Sequence, residues 1–376
     1  MERAARANGL EGSVQRVAVL RALMLGDMLV AVPALRALRA RLPGAHVTWI
    51  GLEPTRALVG RFSHLVDDFL ALPGYPGLPE VPHEPDALPG FLERAVQRRF
   101  DLALQWHGSG GIVNGLVARL GARRLSGFAS PGEGAAPAGH ADRFLDWPER
   151  GTEVDRLLAA AEHLGCPPRG RHLEFPLQAE DRRALDIAWP GHADCRSWVC
   201  LHAGSQLPSR RWPTARFTEV GRALQAAGHT VVLTGGIDER PLAQAIALGL
   251  PRPAVDLTGR TSLGALGALL GGALALVSND TSVSHVAAAI GCPSVVVSLG
   301  ADVPRWRPAD ATRHRVVWHD VPCRPCAHRV CPIGHPCSTA IGASDVIGEL
   351  RGLGVLEAAA GTVPVSARAP EPELVP

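Results

Sequence analysis

The chain has 376 residues, 46% hydrophobic and 20% charged, with 38 basic and 36 acidic side chains; this is typical of a soluble globular protein of two or three packing units, and the charge balance indicates no nucleic-acid partner. Every basic residue is an arginine, which excludes chemistry that needs a Schiff-base, pyridoxal-phosphate or Walker-loop lysine. Eight cysteines, without a long apolar run or a signal-peptide pattern, predict an intracellular protein in a reducing compartment.

In the first half of the chain, apolar strands alternate with helices, which predicts a parallel sheet covered on both faces. We expect residues 1–14 to be a disordered tail and residues 15–175 to form a Rossmann-like domain. The predicted strands are Arg16–Arg21, His46–Gly51, Asp101–Trp106 and Arg124–Phe128. The predicted helices are Leu29–Leu42, Thr55–Phe62 and Asn114–Leu120.

A second alternation of strands and helices follows a proline-interrupted linker, residues 176–195. We expect residues 196–356 to form a second Rossmann-like domain and residues 357–376 a disordered tail. The predicted strands are Ser197–His202, Thr230–Thr234, Ala254–Leu257, Ala273–Val277 and Ser294–Leu299. The predicted helices are Thr214–Ala227, Glu239–Ala247, Ser262–Leu270 and Ser282–Ile290. The predicted fold is therefore α/β, with two doubly wound domains facing a central cleft, where ligands lie beyond the carboxyl ends of the strands.

The turn Leu25-Gly26-Asp27 follows the first strand and precedes the first helix. Its glycine permits a tight turn, and its aspartate lies at the carboxyl edge of the sheet. Two interpretations remain open from the spacing: Asp27 is the N-cap of the helix, or it is a functional carboxylate.

Two loops after strands of the second domain are candidates for binding a phosphorylated ligand. The loop His202–Pro213 carries Arg210 and Arg211, whose guanidinium groups suit phosphate oxygens, although two solvated arginines would give the same pattern. The turn Thr234–Asp238 contains two glycines that let a ligand approach the backbone, and Asp238 is a candidate acceptor for sugar hydroxyls; glycines at strand ends are also common turn residues.

The segment Ser278–His285 follows another predicted strand and begins a helix. Thr281 and Ser282 stand where an N-cap hydroxyl belongs, and the free N–H groups there favour an anion. His285 lies one turn later on the same face. Asp280, two hydroxyls and an imidazole therefore converge, although a structural histidine remains an alternative.

Four of the eight cysteines fall close together in the sequence, at Cys323, Cys326, Cys331 and Cys337. This spacing predicts a possible structural zinc or iron site, and reduced cysteines that pack a loop are the alternative.

Several catalytic motifs are absent from the sequence. No G-x-G-x-x-G follows the first strand, which disfavours a dinucleotide dehydrogenase. There is no Asp-x-Asp motif for metal-dependent nucleotide-sugar chemistry, and no G-x-S-x-G or HExxH motif.

Over residues 15–355 the chain resembles glycosyltransferase family 9, the ADP-heptose:lipopolysaccharide heptosyltransferases. The segments that carry the resemblance are RVAVLRALMLGDMLVAVPALRALRARLPGAHVTWIG, DLALQWHGSGGIVNGLVARLGARRLSGF, HAGSQLPSRRWP, LTGGIDER, DLTGRTSLGALGALLGGA and SNDTSVSHVAAAIGCPSVVVSLG. The segment CRPCAHRVCPIGHPC is similar to a cysteine stretch of the heptosyltransferase II branch.

The resemblance implies a GT-B fold with an ADP-sugar donor on the C-terminal domain and a lipopolysaccharide-core (lipid A) acceptor on the N-terminal domain. Asp27 matches the family's proposed catalytic base, and Arg210 stands where the family has a pyrophosphate-binding lysine. The other donor-side candidates are Ser205, Gln206, Arg211, Gly235, Asp238, Asp280, Thr281, Ser282 and His285. The acceptor-side candidates are Gly26, His107 and Asn114.

The sequence thus predicts an inverting, metal-independent glycosyltransferase that needs no cofactor. Alternatives are the same fold with a protein or other glycan acceptor, a non-catalytic nucleotide-sugar binder, and a four-cysteine metalloprotein. Arginines clustered in the first domain predict reversible contact with the inner face of the inner membrane by a cytoplasmic protein. They are Arg36, Arg39, Arg41, Arg56, Arg61, Arg94, Arg98, Arg99, Arg119, Arg123 and Arg124.

Overall fold

The structure is a computed structural model that describes residues 10, 13–130, 132 and 134–356. The predicted tail 357–376 and most of the predicted tail 1–14 lie outside these residues. In the predicted tail 1–14, Leu10 and Val14 are 8% and 7% exposed and belong to the hydrophobic core. The hydrophobic core therefore includes residues that precede residue 15.

The first sheet has six parallel strands in the order β3-β2-β1-β4-β5-β6. Its central register aligns Val17 with Val47 on one side and with Leu102 on the other. The strands are β1 Arg16–Leu20, β2 His46–Gly51, β3 Asp68–Ala71, β4 Leu102–Gln105, β5 Arg124–Ala129 and β6 Phe144–Asp146. The helices are α1 Leu25–Leu29, α2 Val32–Arg41, α3 Arg56–Val59, α4 Ala87–Gln97, α5 Ile112–Ala118 and α6 Glu153–His163. We call this part of the molecule the N-terminal half.

The second sheet is also six-stranded and parallel, in the order β12-β11-β10-β7-β8-β9. The strands are β7 Trp198–His202, β8 Thr230–Leu233, β9 Val255–Asp256, β10 Ala275–Asn279, β11 Ser294–Val297 and β12 His314–Val317. The helices are α7 Ala179–Ala188, α8 Thr214–Ala226, α9 Arg240–Leu248, α10 Leu263–Gly272, α11 Ser282–Ile290, α12 Val303–Trp306, α13 Pro336–Thr339 and α14 Ala343–Gly352. We call the part from β7 onward the C-terminal half.

Both sheets have the doubly wound order of Rossmann-like folds, so the predicted fold class is confirmed. In each sheet the order in which successive strands are added reverses at the centre, between β1 and β4 and between β7 and β10. Ligands of open α/β sheets bind outside the strand ends at such reversal points. The limits of the two predicted domains, 15–175 and 196–356, stay predictions.

The predicted helix Leu29–Leu42 is in fact two helices, α1 and α2, joined by a short turn. Pro33 lies in the first turn of α2, where its missing N–H is tolerated, but it cannot continue the hydrogen bonds of a preceding helix. The interruption leaves α1 as a separate turn of helix directly after β1.

The predicted linker, residues 176–195, is not an irregular connection, because it contains α7. Asp181 of α7 is 5% exposed and accepts hydrogen bonds from both terminal nitrogens of Arg61. This ion pair joins the first half to α7.

One hydrophobic cluster runs through both halves of the molecule. It contains Leu35 and Leu38 of α2 and Leu157 of α6, and also Val283 and Val286 of α11. Two further clusters lie on the remaining faces of the two sheets. The halves therefore share an apolar contact in addition to the cleft between their strand ends.

Across the part of the chain that the structure describes, no helix is both long enough and apolar enough for a membrane crossing.

Candidate active site

A cavity of about 330 Å³ lies between the halves, at the carboxyl ends of the central strands. Its lining residues are Met24, Gly26, Asp27, Ser205, Gln206, Leu207, Arg210, Asp280, Thr281, Ser282, His285, Ala301 and Trp306. Most of the predicted donor-side residues therefore meet Asp27 in one space. A larger cavity of about 550 Å³ adjoins it and shares His285 and Trp306, but Asp27 and the arginine loop do not line it. The smaller cavity is therefore the candidate active site.

Asp27 lies in the first turn of α1, directly after β1. The residue in the N-cap position is Met24, and no side chain caps this helix, so the interpretation of Asp27 as an N-cap is wrong. The carboxyl group is 21% exposed and its Oδ1 lies 3.7 Å from Nη2 of Arg21. Burial raises the pKa of Asp27, and the nearby positive charge of Arg21 opposes that rise, as would the His285 ring if it were protonated. The net effect is that the pKa of Asp27 lies above its ordinary value.

Gly26 allows α1 to approach α11 closely. A Cβ atom at this position would lie 2.7 Å from Cδ2 of His285. The absence of a side chain therefore brings Asp27 and the His285 ring to the same wall of the cavity.

The N-terminus of α11 faces the cavity with its polar groups available. Thr281 is the N-cap residue, and its side chain makes no capping hydrogen bond. Asp280 accepts a hydrogen bond of 2.9 Å from Oγ of Ser298, which fixes its carboxylate. Burial lowers the pKa of His285, although Asp280 and Asp27 act to raise it, so the imidazole is neutral near pH 7. A helix N-terminus with free hydroxyls is a site for an anion.

The arginine loop approaches the same cavity from β7. Nη2 of Arg210 donates a 3.2 Å hydrogen bond to the carbonyl of Cys326, and its Nε is buried without a hydrogen-bond partner among the described residues. Arg211 does not line the cavity, because its Nε donates to the carbonyl of Ser205 at 2.9 Å. Arg210 is thus positioned to bind a ligand, whereas Arg211 fixes the loop that carries Ser205.

In the glycine turn after β8, the acidic side chain that packs on the glycines is Glu239, and not the predicted Asp238. Asp238 is exposed on a 3-10 turn, and neither it nor Gly235 lines the cavity. Glu239 instead lies against the backbone of Gly204 and Gly235, where a Cβ atom would meet its carboxylate within 3 Å. The roles of Gly235 and Asp238 stay predictions. Glu239, which the sequence did not single out, also lies outside the cavity lining and accepts a 2.8 Å hydrogen bond from the backbone N–H of Gly236.

The two other acceptor-side candidates lie in the N-terminal half outside the cavity lining. His107 accepts a 3.2 Å hydrogen bond from the backbone N–H of Ala22, and its Nε2 faces Glu80 at 3.4 Å. Asn114 donates to the carbonyls of Phe128 and Ala135, at 3.1 and 3.2 Å. Asn114 therefore holds the loop after β5, and its contact with an acceptor stays a prediction.

The four clustered cysteines line a cavity of about 20 Å³. Within the described ranges, no group of three or more His, Cys, Asp or Glu side chains is arranged to hold a metal ion. The segment instead supports the arginine loop: besides the Arg210 bond, the backbone N–H of Ser209 donates to the carbonyl of Arg329, and its Oγ donates to the carbonyl of His328. As arranged, these thiols do not fit a metal ion.

Sequence reasoning missed a charged group behind Asp27, formed by Arg21, Glu153 and Arg305. Arg21 and Glu153 are almost completely buried, and Glu153 binds both arginines. Of these residues, Arg21 has a weak signal in the sequence, because a buried arginine directly after an apolar strand needs an acidic partner.

A model of glycosyltransferase family 9 (heptosyltransferase) matches residues 92–336, more than half of the chain. The chain belongs to this family. Lipopolysaccharide heptosyltransferase 3 of Escherichia coli is 35% identical over 130 residues, which cover 34% of this chain and 37% of that protein. Lipopolysaccharide heptosyltransferase 2 of E. coli strain K12 is 25% identical over 308 residues, 78% of this chain and 85% of the relative.

Solved structures show the same fold. A family 9 glycosyltransferase from Veillonella parvula has a TM-score of 0.73 and 20% identity, and the alignment covers 92% of this chain and 98% of that one. E. coli heptosyltransferase WaaC with ADP-2-deoxy-2-fluoro heptose has a TM-score of 0.63 and 18% identity, and 90% and 99% are covered. The chain spans 30–48% of the length of the first five curated relatives it matches. The GT-B architecture expected from the sequence is confirmed.

Proposed function

We propose that the protein is an inverting, metal-independent heptosyltransferase that moves a heptose from an ADP-sugar to a lipopolysaccharide inner-core acceptor. The observation that carries the proposal is the single cavity in which Asp27 faces Arg210 and the N-terminus of α11. A base and anion-binding groups around one cavity are what displacement of a nucleoside diphosphate by a hydroxyl requires. The family and its curated heptosyltransferase members support the sugar and the acceptor.

In the proposed mechanism Asp27 accepts the proton of the acceptor hydroxyl as its oxygen attacks the anomeric carbon. The bond to the ADP oxygen breaks on the opposite face, so the configuration inverts. The raised pKa of Asp27 supports this role, because a carboxylate of higher pKa is a better proton acceptor. General base catalysis of this kind contributes typically about 10²–10⁴-fold.

The departing pyrophosphate gains negative charge, and fixed donors on the C-terminal half meet it. Arg210 supplies a guanidinium group, and Thr281 and Ser282 supply hydroxyls and backbone N–H groups. Groups that are already oriented toward the developing charge stabilise the transition state without reorganisation. These positive groups occupy the role that a divalent cation has in glycosyltransferases with an Asp-x-Asp motif.

For the nucleoside part of the donor we infer a role for Glu239. Its carboxylate lies over two glycines beside the loop that carries Ser205. Carboxylates commonly accept hydrogen bonds from ribose hydroxyls in Rossmann-like domains. The contact is proposed for Glu239 in addition to the predicted contact of Asp238.

The test is transfer from ADP-heptose to an inner-core acceptor by the purified protein, with UDP- and GDP-sugars as comparison donors and EDTA in a parallel series. We expect product only with the ADP-sugar, inverted stereochemistry by NMR and an unchanged initial rate in EDTA. Equal rates with all donors would contradict the nucleotide assignment. A rate that collapses in EDTA and returns with Mg²⁺ would contradict the metal-independent mechanism. Transfer to a protein hydroxyl instead would support the alternative acceptor.

A metal at the cysteine segment stays a prediction with limited support. All four thiols border one cavity. Among the described residues, however, they are not arranged to hold an ion. Metal analysis of the protein purified without chelator distinguishes a bound ion from a loop packed by reduced cysteines. About one zinc or iron per chain would establish a metal site, and no metal would support the packed loop.

A further inference from the structure

Glu153 is a buried carboxylate that no part of the proposed mechanism uses. It begins α6, and its side chain is 2% exposed. Arg21 donates to its Oε1 at 3.0 Å, Arg305 donates to its Oε2 at 2.8 Å, and Arg156 lies 3.6 Å from Oε2. Burial alone would raise the pKa of Glu153, but Arg21 and Arg305 hold it below its ordinary value. Glu153 is therefore ionised and its oxygens are occupied by guanidinium groups.

The first of these arginines fixes the surroundings of Asp27. The side chain of Arg21 is fully buried, its Nε donates to the backbone carbonyl of Asp27 at 2.7 Å, and its Nη1 donates to the carbonyl of Trp106. Its Nη2 lies between two carboxylates, 3.0 Å from Glu153 and 3.7 Å from Asp27. Arg21 is therefore shared between the carboxylates of Glu153 and Asp27.

The second arginine comes from the other half of the molecule. Arg305 belongs to α12, and its guanidinium stacks on the rings of Trp306, at 4.8 Å, and Trp147, at 5.3 Å. The Trp306 ring lies 6.3 Å from the ring of His285 and lines the candidate active site. The pair of Glu153 and Arg305 therefore connects the halves next to the reacting groups.

We propose that Glu153 is a positioning residue for sugar transfer, which holds Arg21 beside Asp27 and receives Arg305 from the C-terminal half, so that the charge around the base depends on contact between the halves. This rests on the proposed role of Asp27 as base. The charged and titratable groups that face Asp27 are Arg21 after β1, Glu153 of α6, His285 of α11 and Arg305 of α12, with Arg210 and Asp280 on the same cavity. Glu153 and Arg305 act on Asp27 with opposite signs.

The first experiment measures the protonation of Asp27 directly, by difference infrared spectroscopy of its carboxyl group against the Asp27→Asn protein. In Glu153→Gln a like charge is lost and the Arg21 charge is no longer shared with a second carboxylate, so the titration midpoint of Asp27 falls. In Arg305→Gln a favourable positive charge is lost, so the midpoint rises. Arg305→Lys keeps the charge and stays close to the wild type. A general loosening of the fold would not move the two midpoints in opposite directions.

The second experiment follows turnover. We expect kcat of Glu153→Gln to fall by about 10- to 100-fold, the scale of a small displacement of a catalytic group, with the KM for the donor changed less than about twofold. The acidic limb of the kcat/KM profile should shift to lower pH in this variant and to higher pH in Arg305→Gln. The matched control is Glu174→Gln, which removes another arginine-paired carboxylate, on the segment before α7 and bonded to Arg36, and should leave the profile unchanged.

Unchanged midpoints in both variants, or shifts in the same direction, would overturn the proposal. Arg305 is 27% exposed at its side chain, so its variants remain informative if Glu153→Gln does not fold. The infrared titration needs no substrate. A protein that titrates as expected but transfers no heptose would contradict the proposed function and not the positioning of Asp27.

Discussion

At the scale of single residues, Asp27 combines a partly buried carboxyl group with a position at the meeting point of both halves. Asp27→Asn keeps the size of the side chain and removes the proton acceptor. We expect transfer to fall by about 10²-fold or more, while ADP binding, measured by calorimetry, stays within about twofold of the wild type. Retention of more than about a tenth of the turnover would contradict a general-base role.

Arg210 is the other residue whose chemistry can be tested alone. Arg210→Ala should weaken ADP binding by about 1.5–3 kcal/mol, the range for a hydrogen bond to a charged group. Arg210→Lys should recover much of the loss, since the charge remains, though without the planar fork. Arg222→Ala is the control in the same half, because Arg222 lies outside the cavity lining and its Nε donates to the carbonyl of Gly249. Unchanged affinity in Arg210→Ala would move the phosphate site elsewhere, with Arg211 as the next candidate.

At the scale of elements, the contact of α1 with α11 depends on Gly26. Alanine is normally favoured over glycine inside a helix by about 1 kcal/mol. At residue 26, however, the new Cβ atom would lie 2.7 Å from the His285 ring, and overpacking of this kind costs typically about 1–3 kcal/mol. We expect Gly26→Ala to lower the melting temperature and to weaken donor binding, because the ring that moves lines the cavity.

Gly115→Ala is the matched control for this prediction. Gly115 lies within α5, and a Cβ atom there would meet nothing within 4 Å. Only the higher helix propensity of alanine then acts, so the melting temperature of this variant should exceed that of the wild type. A Gly26→Ala protein that gains the same stability would show that α1 and α11 are less tightly apposed than described.

The elements also show what the sequence could and could not predict. Asp27, Thr281 and His285 were found because each follows an apolar strand, and parallel strands bring their carboxyl ends to one edge. Glu153 was not found, since its partners Arg21 and Arg305 are 132 and 152 residues away. Local spacing contains no information about such pairs.

The helix α7 escaped prediction for a related reason. Its N-terminus is stabilised by the buried ion pair of Asp181 with Arg61, 120 residues distant, and its sequence lies between prolines that suggested a linker. Glu239 was overlooked because the adjacent Asp238 has the same chemistry, and only the turn geometry decides which carboxylate points inward.

At the scale of the whole molecule, the predicted membrane contact can be compared with how the arginines are used. Six of them form ion pairs within the N-terminal half or with α7 and its flanking residues, which reduces the charge they offer to an anionic surface. These are Arg36, Arg39, Arg56, Arg61, Arg98 and Arg123. If contact occurs, sedimentation with anionic vesicles should be measurable at low salt and fall steeply toward about 0.5 M NaCl. Equal association with neutral vesicles, or none with either, would mean that these arginines are ordinary surface charge.

The hydrophobic cluster shared by the halves predicts how the molecule unfolds. Val283 and Val286 of α11 belong to the same cluster as Leu35 and Leu38 of α2, so neither half can open without exposing apolar surface of the other. We expect one calorimetric transition for the intact chain in spite of its two sheets. A fragment of residues 13–195 should bind a hydrophobic dye that the intact protein does not bind. Two separate transitions would show that the cluster contributes little.

The same cluster imposes an order of events during synthesis. The ribosome completes α2 and α6 long before it reaches α11, and at about 5–20 residues per second the delay is on the order of ten seconds. During that interval the apolar face of the nascent N-terminal half has no partner from its own chain. Substitutions that slow the folding of the C-terminal half should therefore reduce the yield of soluble protein in the cell, even where the folded protein keeps its activity. The cavity between the halves can form only when α11 has covered this apolar face.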